Sequence, residues 1–233
     1  MSAVKSLKIP SLFELLTFIG FVSIVRVTIG VLLNYRDYFP PNFQSEFLSG
    51  REEDFAGWYC WAFYVHLISG PVSLILATFL ISERLRVKYR VWHRYLGRIA
   101  IPCILVFVAP SGLWMAFYVD TGPSAVVGFV FLSLLTGLFA TMGWRAAIRR
   151  RYDEHRRCMW RCFLMLCSAV VLRLIAGTVV ASGFEAAWVF PLAAWGSWLL
   201  PLLVFELRER LRANPARRLL QPVAIVPASD TSS

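Results

Sequence analysis

Apolar residues in this chain fall in long blocks, not at the intervals of a soluble amphipathic helix. Six blocks approach or exceed the ~20 residues that a helix needs to cross a hydrocarbon core of about 30 Å. They run from about Ile9 to Leu33, Phe55 to Ser82, Ile99 to Val119, Thr121 to Trp144, Cys162 to Gly183 and Ala186 to Phe205. Glu14 and Arg26 interrupt the first, His66 the second and Arg173 the fifth. Strand-length segments of alternating polarity are not seen, and lipid admits only helices or closed barrels. The pattern therefore predicts an all-α integral membrane bundle of six transmembrane helices. Residues 1–8 form a short leading segment, 9–207 the bundle, and 208–233 a basic tail expected to be disordered or to lie on the membrane surface. The first block is too long for a signal-peptide core and lacks a small-residue cleavage site, so it reads as an uncleaved signal-anchor.

Within the blocks, Pro71, Pro102, Pro110, Pro191 and Pro201 predict kinks or irregular turns. Ser133-x-x-x-Gly137 is a small-x-x-x-small contact on the fourth span. Trp58, Tyr59, Trp61, Trp114, Tyr118, Trp144, Trp160 and Trp188 sit near span ends and read as interfacial anchors.

Composition agrees with the pattern. Of 233 residues, 58% are hydrophobic and 16% charged, against about 45–50% and 25% in a soluble domain. The net charge of +10 would suggest nucleic acid in a soluble chain. Here the basic residues stand between apolar blocks, so nucleic acid is set aside and they are read as topology signals and contacts to anionic phospholipid. Twenty of the 24 Lys and Arg fall on one side of the predicted spans, and only Arg36 and Arg51 on the other. The positive-inside rule then places both termini in the cytoplasm and the protein in the cell inner membrane. The five cysteines form no Cys-x-x-Cys pair and read mainly as small hydrophobes. No metal site, nucleotide loop or hydrolase signature is present, and no enzymatic activity is assigned.

Three features carry chemistry. A quasi-repeat, His93-Arg94-Tyr95-Leu96-Gly97-Arg98 and His155-Arg156-Arg157-Cys158-Met159-Trp160-Arg161, sits at the inner ends of spans three and five. Guanidinium groups at a helix amino terminus suit an anion, whether lipid phosphate, the neighbouring Asp153 and Glu154, or haem propionates. The plainer reading is a set of interfacial basic residues. Arg26, Arg173 and His66 fall between the outer half and the middle of the membrane, without an Asp or Glu at their depth. An intramembrane cation is a functional hypothesis by default, with snorkelling as its alternative. His93 and His155 share one depth, so they are able to ligate a single b-type haem or to stand in the interface. His66 lies roughly 25 Å higher at ~1.5 Å per residue, so it cannot share that haem.

The run His66-Leu67-Ile68-Ser69-Gly70-Pro71, the two His-Arg motifs and Leu172-Arg173 resemble the bacterial domain-of-unknown-function family twenty-three-oh-six, multi-pass membrane proteins, over roughly spans two to five. The resemblance supplies no activity. It implies that His66, His93, Arg94, Arg98, His155, Arg156 and Arg173 belong to one constellation. The layout is also similar to cytochrome b561-like bundles, an analogy of fold alone. The expectation is a membrane protein that binds an anionic lipid or small ligand through Arg26, His66, Arg94, Arg98, Arg156 and Arg173, or serves as a subunit of a membrane complex. The alternative is a redox protein holding one haem b between His93 and His155.

Overall fold

The structure is a computed structural model that describes residues 12–45, 48–183 and 186–213. Those residues form helices and turns with no strand. The order is α1 (Leu12–Leu33), a 3-10 turn (Asn34–Asp37), α2 (Gly57–Leu80), a short α3 (Glu83–Lys88), α4 (Arg90–Pro102), a π segment (Cys103–Val108), α5 (Ala109–Ala116), α6 (Pro123–Ile148), α7 (Tyr152–Ser182) and α8 (Val189–Ala213). Six helices are long and apolar enough to cross a membrane, the third being the continuous stretch Arg90–Ala116. Large apolar side chains cover the outside of the bundle; Phe18, Leu33, Phe79, Val106 and Val180 are all more than half exposed. In water such a surface would aggregate, whereas in lipid it is solvated.

The helices outrun the apolar blocks. Span three starts at Arg90, ahead of Ile99, and span five at Tyr152, ahead of Cys162. Both His-Arg motifs are therefore wound into first turns. Lys5, Lys8, Arg217, Arg218 and most of the basic tail lie outside the described residues.

α6 and α7 share the broadest interface, and α8 packs on both. The α6 positions facing inward are small: Ala125, Gly128, Ser133, Thr136, Ala140, Gly143 and Ala146. This lets neighbouring backbones approach closely, which drives association where no hydrophobic effect acts between helices. Gly137 faces the Ala109 side chain of α5, so the Ser133-x-x-x-Gly137 pair forms the contact between spans three and four. A core of Leu74, Ile104, Val108, Ala140, Cys162, Leu166 and Val170 closes the middle of the bundle.

Of the prolines, Pro102 and Pro110 flank an irregular turn, the π segment, and Pro71 and Pro201 lie inside α2 and α8. A π turn absorbs the register change that missing donors force, and such turns gather at functional sites.

The segment between α1 and α2 folds back onto the bundle as an aromatic cap. Phe55 stacks edge-on to Phe43, Tyr59, Phe63 and Tyr64. The Tyr64 hydroxyl donates to the Tyr38 carbonyl at 2.9 Å, and Leu48 is fully buried. Tyr59 is 1% exposed, so it is a core residue and not an interfacial anchor, whereas Trp58, Trp61, Trp114, Trp144 and Trp188 are exposed.

Candidate functional site

Under the aromatic cap lies a cavity of about 400 Å³ to which all six spans contribute. That volume falls in the range of about 300–1,000 Å³ typical of small-ligand sites. Its walls carry several polar and charged groups, among them Thr28, Thr136, Arg51, Asp120, His66 and Arg173. His66 on α2 places Nδ1 3.1 Å from the Ser111 hydroxyl on α5. The Ser111 hydroxyl lies 2.5 Å from the Phe107 carbonyl and 3.2 Å from the Val108 carbonyl. A serine has one proton to give, and both carbonyls can only accept. The hydroxyl therefore donates to backbone and accepts from His66 Nδ1–H, so a ring with a single proton keeps Nε2 as an acceptor. The carbonyls that set this tautomer belong to the π segment between the two prolines.

Gly112 makes the seat for the imidazole. A Cβ there would lie 3.1 Å from both His66 Cε1 and Ser133 Oγ. His66 and Ser133 thus converge on one backbone position, and a side chain there would be tight against both.

Arg173 on α7 lines the same cavity, with its side chain exposed there and not packed against protein. Its Nη1 donates to the Ala169 carbonyl at 3.2 Å. It stands within electrostatic range of His66, Tyr35 and Tyr38. None of the five ion pairs among the described residues includes it. A cation deep in a span is costly without a counter-charge.

At the mouth, Arg51 reaches from the cap across the cavity. Nη1 donates to the Tyr59 hydroxyl at 3.2 Å and to the Tyr118 carbonyl at 2.9 Å, and Nη2 lies 3.3 Å from Asp120. The cap is thereby tied to the turn between α5 and α6.

The remaining candidates stand elsewhere. Arg26 is on an exposed part of α1 and does not line the cavity. Arg94, Arg98 and Arg156 are exposed at the opposite, basic end. At that end His155 Nδ1 donates to the Gly143 carbonyl at 2.8 Å, which fixes its tautomer as well. His93 is close enough to feel His155, and its Nδ1 is buried without a hydrogen-bond partner. His93 and Ser111 are 18 residues apart on span three, or about 27 Å at ~1.5 Å per residue. The constellation that the resemblance implied as one is therefore two clusters: His66 with Arg173, and His93 with His155.

A further ion pair gives Arg161, one of the inner-end basic residues, a partner on α8. Arg161 on α7 meets Glu206 on α8 in a two-pronged contact, Nε–Oε1 2.5 Å and Nη2–Oε2 3.0 Å. The guanidinium is also flanked by the Phe139 and Phe205 rings. Sequence reasoning missed this pair, and also Gly112, Arg51 and Tyr35. Only Tyr35 had a signal: Pro71 leaves a carbonyl that needs a donor.

The fold and these sites define a multi-pass helical membrane protein with polar groups enclosed between its spans. The chain belongs to the family described as predicted membrane protein (DUF2306), which matches residues 63–208 and so includes both histidine clusters and Arg173. No curated protein and no solved structure matches it significantly.

Proposed function

We propose that the protein binds a small anionic, partly apolar ligand in the cavity beneath the aromatic cap. The observation that carries this is Arg173, a span-embedded guanidinium that lines a ligand-sized cavity and joins no ion pair among the described residues. An anionic oxygen group would neutralise it and accept its hydrogen bonds. The Ser133 hydroxyl is a further donor within the same walls, and His66 Nε2 would accept a proton-bearing oxygen of the ligand. The apolar walls, among them Leu67, Phe129 and Leu132, suit a ligand drawn from the bilayer more than a free ion. Exposed Arg94, Arg98 and Arg156 serve as contacts to anionic phospholipid at the membrane surface. The charge asymmetry favours a basic end in the cytoplasm and a place in the cell inner membrane. An impermeant amine label reaching Lys88 from outside intact cells would reverse that orientation.

Native mass spectrometry of the full chain released gently from detergent tests the binding. Wild type should retain an anionic small molecule, and a folded Arg173→Leu protein should lose it. Equal retention by both would end this reading.

A second reading concerns the basic end. His155, with Nδ1 fixed on the Gly143 carbonyl, keeps Nε2 available, and His93 stands near it. Ligand histidines are commonly held this way. This supports a haem b between His93 and His155, able to pass single electrons. The absorption spectrum of protein produced with ample haem decides it. A Soret band lost in His93→Ala and His155→Ala supports the assignment, and its absence from wild type rejects it.

A further inference from the structure

A second concavity adjoins the cavity. It is an almost wholly apolar groove of about 380 Å³ between the cap-side ends of α7 and α8. Ile175, Ala176 and Val180 on α7, Ala187 in the turn that precedes α8 and Ala193 on α8 line it. Leu172 and Phe190 belong to the walls of both groove and cavity. Leu172 is the neighbour of Arg173 in the chain, and Phe190 is braced by the Phe129 ring, with centroids 6.2 Å apart. Val180 is 73% exposed, so the groove opens on the lipid side. Two apolar side chains, Leu172 and Phe190, are thus all that the polar cavity and the lipid-side groove share as a wall, next to an intramembrane cation.

Packed helices stand about 8–10 Å apart, so a cleft between two of them takes one hydrocarbon chain and not a pair. We infer that the ligand of the cavity is a single-chain anionic amphiphile. Its carboxylate or phosphate head sits at Arg173, and its chain runs between Leu172 and Phe190 into the α7–α8 groove. This rests on the binding reading above and adds the ligand's shape and path. The alanines at 176 and 187 give the chain its room.

The test uses the full chain in maltoside micelles and two probes with a mid-chain diazirine, stearate and stearoyl-lysophosphatidate. A two-chain phosphatidylglycerol bearing the same group is the comparison. Butyrate and butyl phosphate report on the head alone, through the melting temperature. The expected result is cross-linking of a single-chain probe to 175–180 or 186–193, with little from the two-chain lipid. The probe that labels tells carboxylate from phosphate. Ala176→Phe, or Ala187→Phe should the first fail to fold, fills the groove. Labelling should then fall about tenfold, the factor that a loss of about 1.4 kcal/mol in binding gives. The short-chain effect, which depends on Arg173, should stay. Labelling elsewhere, or labelling indifferent to both fillings, overturns the chain path and leaves the cavity reading standing. Absence of any Arg173-dependent effect from short or long acids removes both.

Discussion

The hydroxyl of Tyr35 donates to the carbonyl of Leu67. Leu67 is four residues before Pro71, and its carbonyl is the one that the missing proline N–H leaves without a helical donor. Inside a bilayer no water replaces that bond, so a side chain from another segment must. Tyr35 belongs to the turn that ends span one, and Leu67 to the cavity wall. One bond therefore repairs a helix and fastens the cap end of span one beside Arg173.

Tyr35→Phe should lower stability by about 1 kcal/mol, the scale of interhelical hydrogen bonds in membrane proteins. Pro71→Ala returns an N–H to the Leu67 carbonyl and makes Tyr35 redundant. In that background Tyr35→Phe should cost almost nothing. Thermal unfolding in detergent of the four proteins of this cycle checks it. Equal costs in both backgrounds would mean that the hydroxyl does not serve the carbonyl.

Gly112 should tolerate no side chain. Gly112→Ala puts a methyl 3.1 Å from His66 Cε1 and Ser133 Oγ, tight enough that a neighbour must give way. The imidazole must swing away from Ser111, at a cost of about 1–3 kcal/mol for overpacking. Gly97→Ala is the control, since nothing lies within 4 Å of a Cβ there; that change should be neutral or stabilising by about 0.5–1 kcal/mol. Melting temperatures report both costs. The rate of His66 modification by diethylpyrocarbonate reports the displaced ring and should rise only in Gly112→Ala.

The Arg161–Glu206 pair joins α7 to α8 with side-chain exposures of 22% and 32%. Removing one partner strands the other charge among Phe139 and Phe205. Breaking a fully buried pair costs about 3–5 kcal/mol, and partial exposure brings the figure here down to about 1–2 kcal/mol. Arg161→Met and Glu206→Gln should each show that loss in thermal unfolding, and the double variant should recover most of it. A double variant as unstable as the sum of its parents would mean that the two side chains act independently.

Hydropathy alone located the six spans, because lipid solvation depends on unbroken apolar length. The same measure stopped at Ile99 and Cys162, since a helix that runs on into a basic turn leaves the oil but keeps its backbone bonds. His66 and Arg173 were legible for a related reason, as ionisable groups stand out in an apolar run. Their neighbours did not. Gly112 matters because side chains from α2 and α6 meet over it, and Glu206 because α8 lies beside α7. Such facts arise only when helices pack, and chain order does not encode which faces meet. The depth gap between His66 and His93 was readable from residue rise. That Arg26 stands apart from the cavity was not, because it depends on the rotation of α1 about its axis.

The final prediction concerns access to the cavity. Arg51 ties the cap to the Tyr118 carbonyl, Asp120 and the Tyr59 hydroxyl, and it contributes to the cavity lining itself. Asp120 is 69% exposed, so the ion pair adds little stability and is weakened by salt. Arg51→Ala should therefore lower the melting temperature by only a few degrees while loosening the cap from the α5–α6 turn. A cysteine placed at Ser133, with the five native cysteines replaced, reads the consequence. Its reaction with a bulky charged maleimide should be slow with Arg51 present. Losing contacts worth about 1.4 kcal/mol raises the open population about tenfold, and the labelling rate should rise in proportion. High salt should raise the rate in the parent and not in Arg51→Ala, because only the parent has an ion pair to screen. If labelling is fast in the parent and indifferent to both changes, the cap does not close the cavity, and the ligand's entry must be sought through the membrane-facing side of α7 and α8.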